Sequence, residues 1–216
     1  MRPDDPVTRT RMREEYPTSS LRGGASFPSL RRHMGRPLTD YVRPVPDFPQ
    51  PGVLFRDLTP LWADGAAWER TVKALAKPFD AVPPQVVLGI EARGFLVAAA
   101  LAARWHAALM LARKPGKLPA DAAREEFELE YGSAAIETHR GLFAPGARVL
   151  IADDVIATGG TAIAALLLLR HLEVAPVGFA FVVEIGVLGG RGRLGNGLPV
   201  HAVIEYPAEG PPIVRE

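Results

Sequence analysis

Residues 149–162 read VLIADDVIATGGTA. The opening VLIA is a short apolar run of the kind that forms a strand covered on both faces. From Thr161 an almost wholly apolar stretch continues to Leu172, as in a helix buried on most sides. Between the two lie adjacent carboxylates, Asp153 and Asp154, and a turn of small residues, Ala157, Thr158, Gly159, Gly160 and Thr161. A strand that passes through a glycine turn straight into a helix is half of a strand–helix–strand unit.

The flanking sequence supplies further units. VVLGI (86–90) and ALMLA (108–112) read as buried strands around a helix over 94–106. VGFAFVVEI (177–185) and VHAVIEY (200–206) continue the series. Residues 66–79 place Trp68, Val72, Leu75, Ala76 and Phe79 at helical spacing. The pattern predicts an α/β fold on a doubly wound, mainly parallel sheet. Two segments interrupt it. PVPDFPQP (44–51) has too many prolines for a helix or a central strand, and reads as an extended lead-in that Val53, Leu54 and Phe55 give something to bury. RKPGKLP (113–119) is a basic loop broken by Gly and Pro. After it, Phe127, Leu129 and Tyr131 alternate with Glu126, Glu128 and Glu130, as in a half-exposed strand. Gly132-Ser133 would turn that strand into a partner around 135–139.

Bulk composition narrows the function. Of 216 residues 48% are apolar and the formal net charge is +1, which gives no global attraction to nucleic acid or membrane. There is no cysteine, which excludes disulfides and thiolate metal sites and fits a cytoplasmic setting. The five histidines show no metal-ligand spacing. No apolar run approaches the roughly 18 residues of a membrane span. Residues 1–33 stand apart, with seven arginines against four acidic residues and little apolar periodicity. They read as a disordered basic extension before one domain over 34–216, with Met34 a plausible alternative start. Asp4, Asp5, Glu14 and Glu15 count against a transit peptide.

Ligands of doubly wound sheets bind beyond the carboxyl ends of the strands, where DDVIATGGT falls. Gly159 and Gly160 let main-chain amides close around an anion, Thr158 and Thr161 add hydroxyls, and the helix N-terminus favours negative charge. Carboxylates beside a phosphate would repel it, but they suit the hydroxyls of a sugar joined to it. The stretch therefore reads as a ribose-5-phosphate grip; the bland alternative is a strand-to-helix turn capped by Thr158. No P-loop string occurs. Residues 190–195, GRGRLG, match G-x-G-x-x-G, but Gly197 and Pro199 follow closely, so no helix is expected and the match reads as a surface turn.

VLIADDVIATGGTA resembles the phosphoribosyl-pyrophosphate (PRPP) motif of the type I phosphoribosyltransferases. FPQPGVLFRDLTPL (48–61), GIEARGFL (89–96), and RKPGKLP with LEYG within 113–132 narrow the resemblance to the adenine phosphoribosyltransferases, over about residues 38–206. The resemblance implies a type I phosphoribosyltransferase fold with a mobile β-hairpin catalytic loop and a small N-terminal hood. It implies the reaction of adenine and PRPP to AMP and pyrophosphate through a transition state like a ribosyl oxocarbenium ion. It also implies Mg2+ held by PRPP oxygens and water rather than directly by protein, a homodimer, and no nucleic-acid or membrane partner.

The family roles fall on individual residues. Asp153, Asp154, Ala157, Thr158, Gly159, Gly160 and Thr161 would hold the ribose phosphate, with Asp154 also catalytic. Ala92, Arg93, Lys114 and Lys117 would take the pyrophosphate, beside a strained peptide near Glu91–Ala92. Glu130 would manage a proton at the purine imidazole nitrogens, and Tyr131 would close over the sugar. Adenine would stack between Phe55 and Ile185, with the backbone near Leu54 and Arg56 reading its edge. Plain readings stand beside these: a surface ion pair for Arg93, a solvated loop for the lysines, core packing for Phe55. Two other functions fit the same motif: a 6-oxopurine phosphoribosyltransferase, and a PRPP-sensing nucleic-acid regulator using the basic arm. Enzymes for oxopurines typically carry a Lys near the base, and no Lys follows Lys117. Regulators often lose the catalytic loop, whereas Lys117, Glu130 and Tyr131 are present.

Overall fold

Val86–Ile90 is apolar at four of its five positions, and in the structure, a computed structural model, all five residues are buried. Residues 35–119, 121–129, 132–194 and 197–216 are described. The extension 1–33, Met34, Glu130 and Tyr131 lie outside them, as do the side chains of the alternating 127–129 stretch.

After a short 3-10 turn at Leu38–Tyr41 comes a two-stranded antiparallel hairpin, β1 (Arg43–Pro46) and β2 (Leu54–Asp57), so the proline-rich stretch gives the end of one arm and much of the connection to the other. Helices α1 (Thr59–Ala63) and α2 (Gly65–Ala76) follow. Asp64 caps α2 by accepting the Ala67 amide at 2.9 Å, and Pro78 confines the next turn, Lys77–Phe79, to a 3-10 helix. Then come β3 (Val86–Ile90), α3 (Gly94–Trp105) and β4 (Ala108–Ala112). A second hairpin, β5 (Ala122–Leu129) and β6 (Gly132–His139), precedes β7 (Arg148–Ile156), α4 (Gly160–His171) and β8 (Ala175–Ile185). The chain closes with α5 (Gly190–Arg193), β9 (Val200–Tyr206) and β10 (Ile213–Val214). The short α1 and β10 carry no periodic signal and were not expected from sequence.

The six-stranded sheet has the order β10-β9-β8-β7-β3-β4. All its pairs are parallel except β10 with β9. From β3 the chain moves outward to β4, then returns to β7 and builds the other way through β8 and β9. The order reverses between β3 and β7, and ligands of doubly wound sheets bind at the carboxyl side of such a reversal.

Side chains alternate across the sheet. Val86, Leu88, Ile90, Val149 and Ile151 share one core with α4, while Val87, Leu150 and Ala152 share the other with α2 and α3. The fully buried Phe179 and Phe181 stack at 6.3 Å on the α4 side, each contributing about 1.5–3 kcal/mol by burial. Ala123 and Ile136 of the second hairpin join that core. Helix α4 is thus covered by the sheet on one side and by the hairpin on another, which is why so little of it is polar.

Two expectations need correction. Gly132 and Ser133 already pair with Leu129 and Glu128, so they belong to β6 and do not form the turn. A one-turn helix, α5, does open within GRGRLG. Gly189, at φ 67°, supplies the left-handed entry, and the buried Leu194 ties the turn into the core, so the segment is not a free surface turn.

Candidate active site

The carboxyl ends of β3 and β7 face the same crevice. Strand β7 delivers Asp153 and Asp154 and then the turn Ala157–Thr161. Asp153, Ala157, Thr158, Gly159, Gly160 and Thr161 line one small cavity of about 100 Å3. Gly159 sits at φ +81° as the residue before α4, and Thr158 makes no capping hydrogen bond. The plain turn capped by Thr158 is therefore not what forms. The first amides of α4 have no intrahelical acceptor and carry the positive end of the helix dipole. Among the described residues no Lys or Arg lines the cavity, so an anion there meets main-chain dipoles rather than side-chain cations.

The two aspartates are held against the start of α3. Asp153 Oδ1 accepts the Asp154 amide at 2.8 Å. A β-carbon on Gly94 would lie 2.7 Å from that oxygen and 2.8 Å from the Ala152 carbonyl, so only glycine lets α3 approach β7 this closely. The Asp154 side chain is 5% exposed, and its Oδ2 lies 2.9 Å from Arg93 Nε. That contact is an ion pair without hydrogen-bond alignment, which leaves Oδ2 buried and without a donor. Burial pushes both carboxyls above the ordinary aspartate range. The charge of Asp154 adds to the rise at Asp153, and Arg93 opposes it at Asp154. Asp153 reaches the lining of the small cavity, whereas Asp154 lines neither cavity and stands behind it against Arg93.

Strand β3 runs directly into Glu91-Ala92-Arg93, and the Glu91–Ala92 peptide bond is cis. Arg93 reaches in two directions, toward Asp154 and over the Phe55 ring at 5.0 Å. Phe55 lines a larger cavity of about 600 Å3 together with Leu54, Arg56, Arg93 and Ile185. Phe55 is half-buried and packs edge-on against Phe48 at 5.1 Å, so it faces a cavity rather than a closed core. Leu54 is exposed, contrary to its expected burial. The Arg56 guanidinium stacks on Tyr206 at 3.9 Å, which joins the first hairpin to the end of β9. Val155 and Ala157 line both cavities, so the two adjoin.

Of the pyrophosphate candidates, Arg93 sits at the crevice by its side chain, while Lys114 is tied to it by its backbone. Glu91 Oε2 accepts the Lys114 amide at 2.9 Å and stands 3.3 Å from Arg113 Nε. These donors hold the Glu91 carboxyl below the usual range, led by the Lys114 amide. Arg113 donates to the Lys117 carbonyl at 2.8 Å, and Glu137 of β6 accepts the Gly116 amide at 2.9 Å. The basic loop is therefore anchored at both ends, with the Lys114 and Lys117 side chains exposed. Glu130 and Tyr131 lie outside the described residues, so their place relative to the crevice is not part of this geometry. Glu137, Tyr206 and Gly190 were missed as contributors, and Glu91, expected only in the pyrophosphate loop at its strained peptide, also anchors the start of the basic loop. Only the position of Glu91, directly after a buried strand, offered a signal.

Residues 68–192 match the model of the phosphoribosyl transferase domain. The adenine phosphoribosyltransferase of Sorangium cellulosum (strain So ce56) is 49% identical over 180 residues, 82% of this chain and 90% of that protein. The crystal structure of adenine phosphoribosyltransferase from Rhodothermus marinus DSM 4252 superposes with a TM-score of 0.75 at 43% identity, covering 78% of this chain and 96% of that one. The adenine phosphoribosyltransferase of Saccharomyces cerevisiae, solved with an imino-altritol bisphosphate and adenine, gives a TM-score of 0.71 at 34% identity, covering 76% and 95%.

Proposed function

This chain belongs to the phosphoribosyltransferase family, and from that premise we infer that it is an adenine phosphoribosyltransferase, converting adenine and PRPP to AMP and pyrophosphate. The observation that carries the reading is the pair of adjoining cavities at the sheet reversal. One, bounded by helix amides and a carboxylate, fits a sugar phosphate; the other, walled by Phe55 and Ile185, fits a planar base.

In the reaction, a purine ring nitrogen bonds to the anomeric carbon as the bond from that carbon to pyrophosphate breaks. The base loses its proton. The Thr158–Thr161 amides would anchor the ribose phosphate at one end, while Asp153 and Asp154 hold its hydroxyls, fixing the anomeric carbon between the cavities. The negative charge that Arg93 helps the pair keep would also favour a sugar that becomes cationic. Arg93, the Ala92 backbone, Lys114 and Lys117 would neutralise the leaving group, with Glu91 setting where the loop begins. Phe55 and Ile185 would clamp the ring, and the hairpin would exclude water. By resemblance, Glu130 takes the proton role at the imidazole nitrogens and Tyr131 covers the sugar.

Among the described residues no group of three His, Asp or Glu could hold a metal. The oxygen-only donors of the adjacent Asp153 and Asp154 fit an Mg2+ that arrives with the diphosphate and keeps most of its waters. Asp153 and Asp154 would orient those waters. Bound with the substrate, the ion would offset diphosphate charge.

The reading extends to a catalytic unit over 34–216 with 1–33 dispensable, to a homodimer, and to a cytoplasmic location. The exposed Leu96 and Leu109 offer apolar surface for a second copy. The test is AMP formation from PRPP with a panel of bases, for the full chain and for residues 34–216. Adenine should be turned over by both. Activity confined to an oxopurine would overturn the base assignment, and loss of turnover on truncation would overturn the dispensable extension.

A further inference from the structure

We propose that the α5 turn braces the phosphate cradle from behind, with Gly190 and Arg193 as positioning residues for it. The proposal rests on the reading of that cradle as the sugar-phosphate site.

Two contacts fix the turn to the sheet. Arg191 forks onto the buried Glu184 of β8, with Nε at 2.9 Å from Oε1 and 3.0 Å from Oε2, and its Nη1 donates to the Val200 carbonyl at 2.5 Å. Leu194 is fully buried in the core beneath α4. Two further contacts run from the fixed turn to the cradle. A β-carbon on Gly190 would lie 2.2 Å from the Ala157 carbonyl and 3.0 Å from the Gly159 nitrogen, so the two backbones are in contact. Arg193 Nη1 donates to the Thr158 carbonyl at 3.1 Å.

The consequence lies in the peptide plane. In a trans peptide the carbonyl and the next amide point opposite ways. An acceptor committed to Arg193 on the outside thus sets the direction of the Gly159 amide. Gly159 and Gly160 are the most permissive residues in the cradle, and without a brace they would lose more entropy when an anion orders them. Arg193 contributes from outside the cavity, since it does not line it.

The test compares Arg193→Ala, Arg193→Lys, Gly190→Ala and Gly192→Ala. Gly192 is in the same turn, but a β-carbon there meets nothing within 4 Å. The readouts are the dissociation constant for ribose 5-phosphate by calorimetry, KM for PRPP, KM for adenine, and the melting temperature. Arg193→Ala should weaken ribose 5-phosphate about three- to tenfold, with adenine KM and melting temperature unchanged. Arg193→Lys should recover part of the loss. Gly190→Ala should cost about tenfold or more, and Gly192→Ala nothing. If Gly190→Ala does not fold, the two Arg193 variants decide. Unchanged affinity in Arg193→Ala, an equal rise in adenine KM, or an equal loss in Gly192→Ala would each overturn the brace. A wild-type chain that makes no AMP, yet binds ribose 5-phosphate in an Arg193-dependent way, would sink the adenine reading and uphold this one.

Discussion

Glu91 is the residue whose removal separates a loop anchor from a bystander. Its carboxylate accepts the Lys114 amide at 2.9 Å, while its Arg113 contacts are longer, at 3.3 and 3.5 Å. Glu91→Gln keeps an oxygen for the amide and removes only the charge. The lost attraction is to a partly exposed Arg113, worth under about 1 kcal/mol, so turnover should fall no more than about fivefold. Glu91→Ala strips the acceptor as well. A hydrogen bond to a charged group contributes about 1.5–3 kcal/mol, so if the loop start is released by that amount, kcat should fall about ten- to a hundredfold. Adenine KM should hold, because Glu91 does not line the base cavity. The carboxyl is depressed in the fold, so its contribution is present above the ordinary glutamate range and lost only as pH falls through the lowered value. The anchor is therefore intact at neutral assay pH. Steady-state AMP formation for the three proteins reads the series. An Ala variant within twofold of wild type, or a Gln variant as damaged as Ala, would refute the hydrogen-bond argument.

Asp154→Asn should cut turnover strongly without harming the fold. Burial raises the Asp153 and Asp154 carboxyls, so between the ordinary aspartate range and the raised values the folded chain keeps protons that the unfolded chain has released. Their contribution to stability is fully present below about pH 4 and is lost as pH rises through the raised values. The Asn variant should melt at or above the wild-type temperature near pH 7, with any gain shrinking toward pH 4; a clear loss at pH 7 would show that the charged pair stabilises. Phe55→Ala should raise adenine KM by about tenfold, since it removes one wall of the base cavity and an aromatic contact worth about 0.5–1.5 kcal/mol beyond its burial. An adenine KM that stays put would remove Phe55 from the base site.

Much of the architecture was legible because each element has its own period. The strands at 86–90, 108–112 and 200–206 match the expected limits, since each is an apolar or alternating run with turn residues on both sides. The small cavity at residues 157–161 was legible for a related reason: it is lined largely by consecutive residues, so its chemistry is written in one string. Gly190 shows the opposite case. Its neighbours are Ala157 and Gly159, about thirty residues earlier, and nothing local marks the contact. The helix at 190–193 was missed for the same cause, because Glu184 and Val200 hold it in place rather than its own propensity.

Sequence alone determined the α/β class, the run of parallel strands and the glycine turn between β7 and α4, because hydrophobic period and glycine placement act over short distances along the chain. Tertiary structure alone decided that β3 and β7 are neighbours at the sheet reversal. That pairing sets Arg93 between Asp154 and Phe55, and makes two cavities adjoin. The physical reason is that such juxtapositions depend on which strands pair and how closely a helix can approach, and both are settled by packing among residues far apart in sequence.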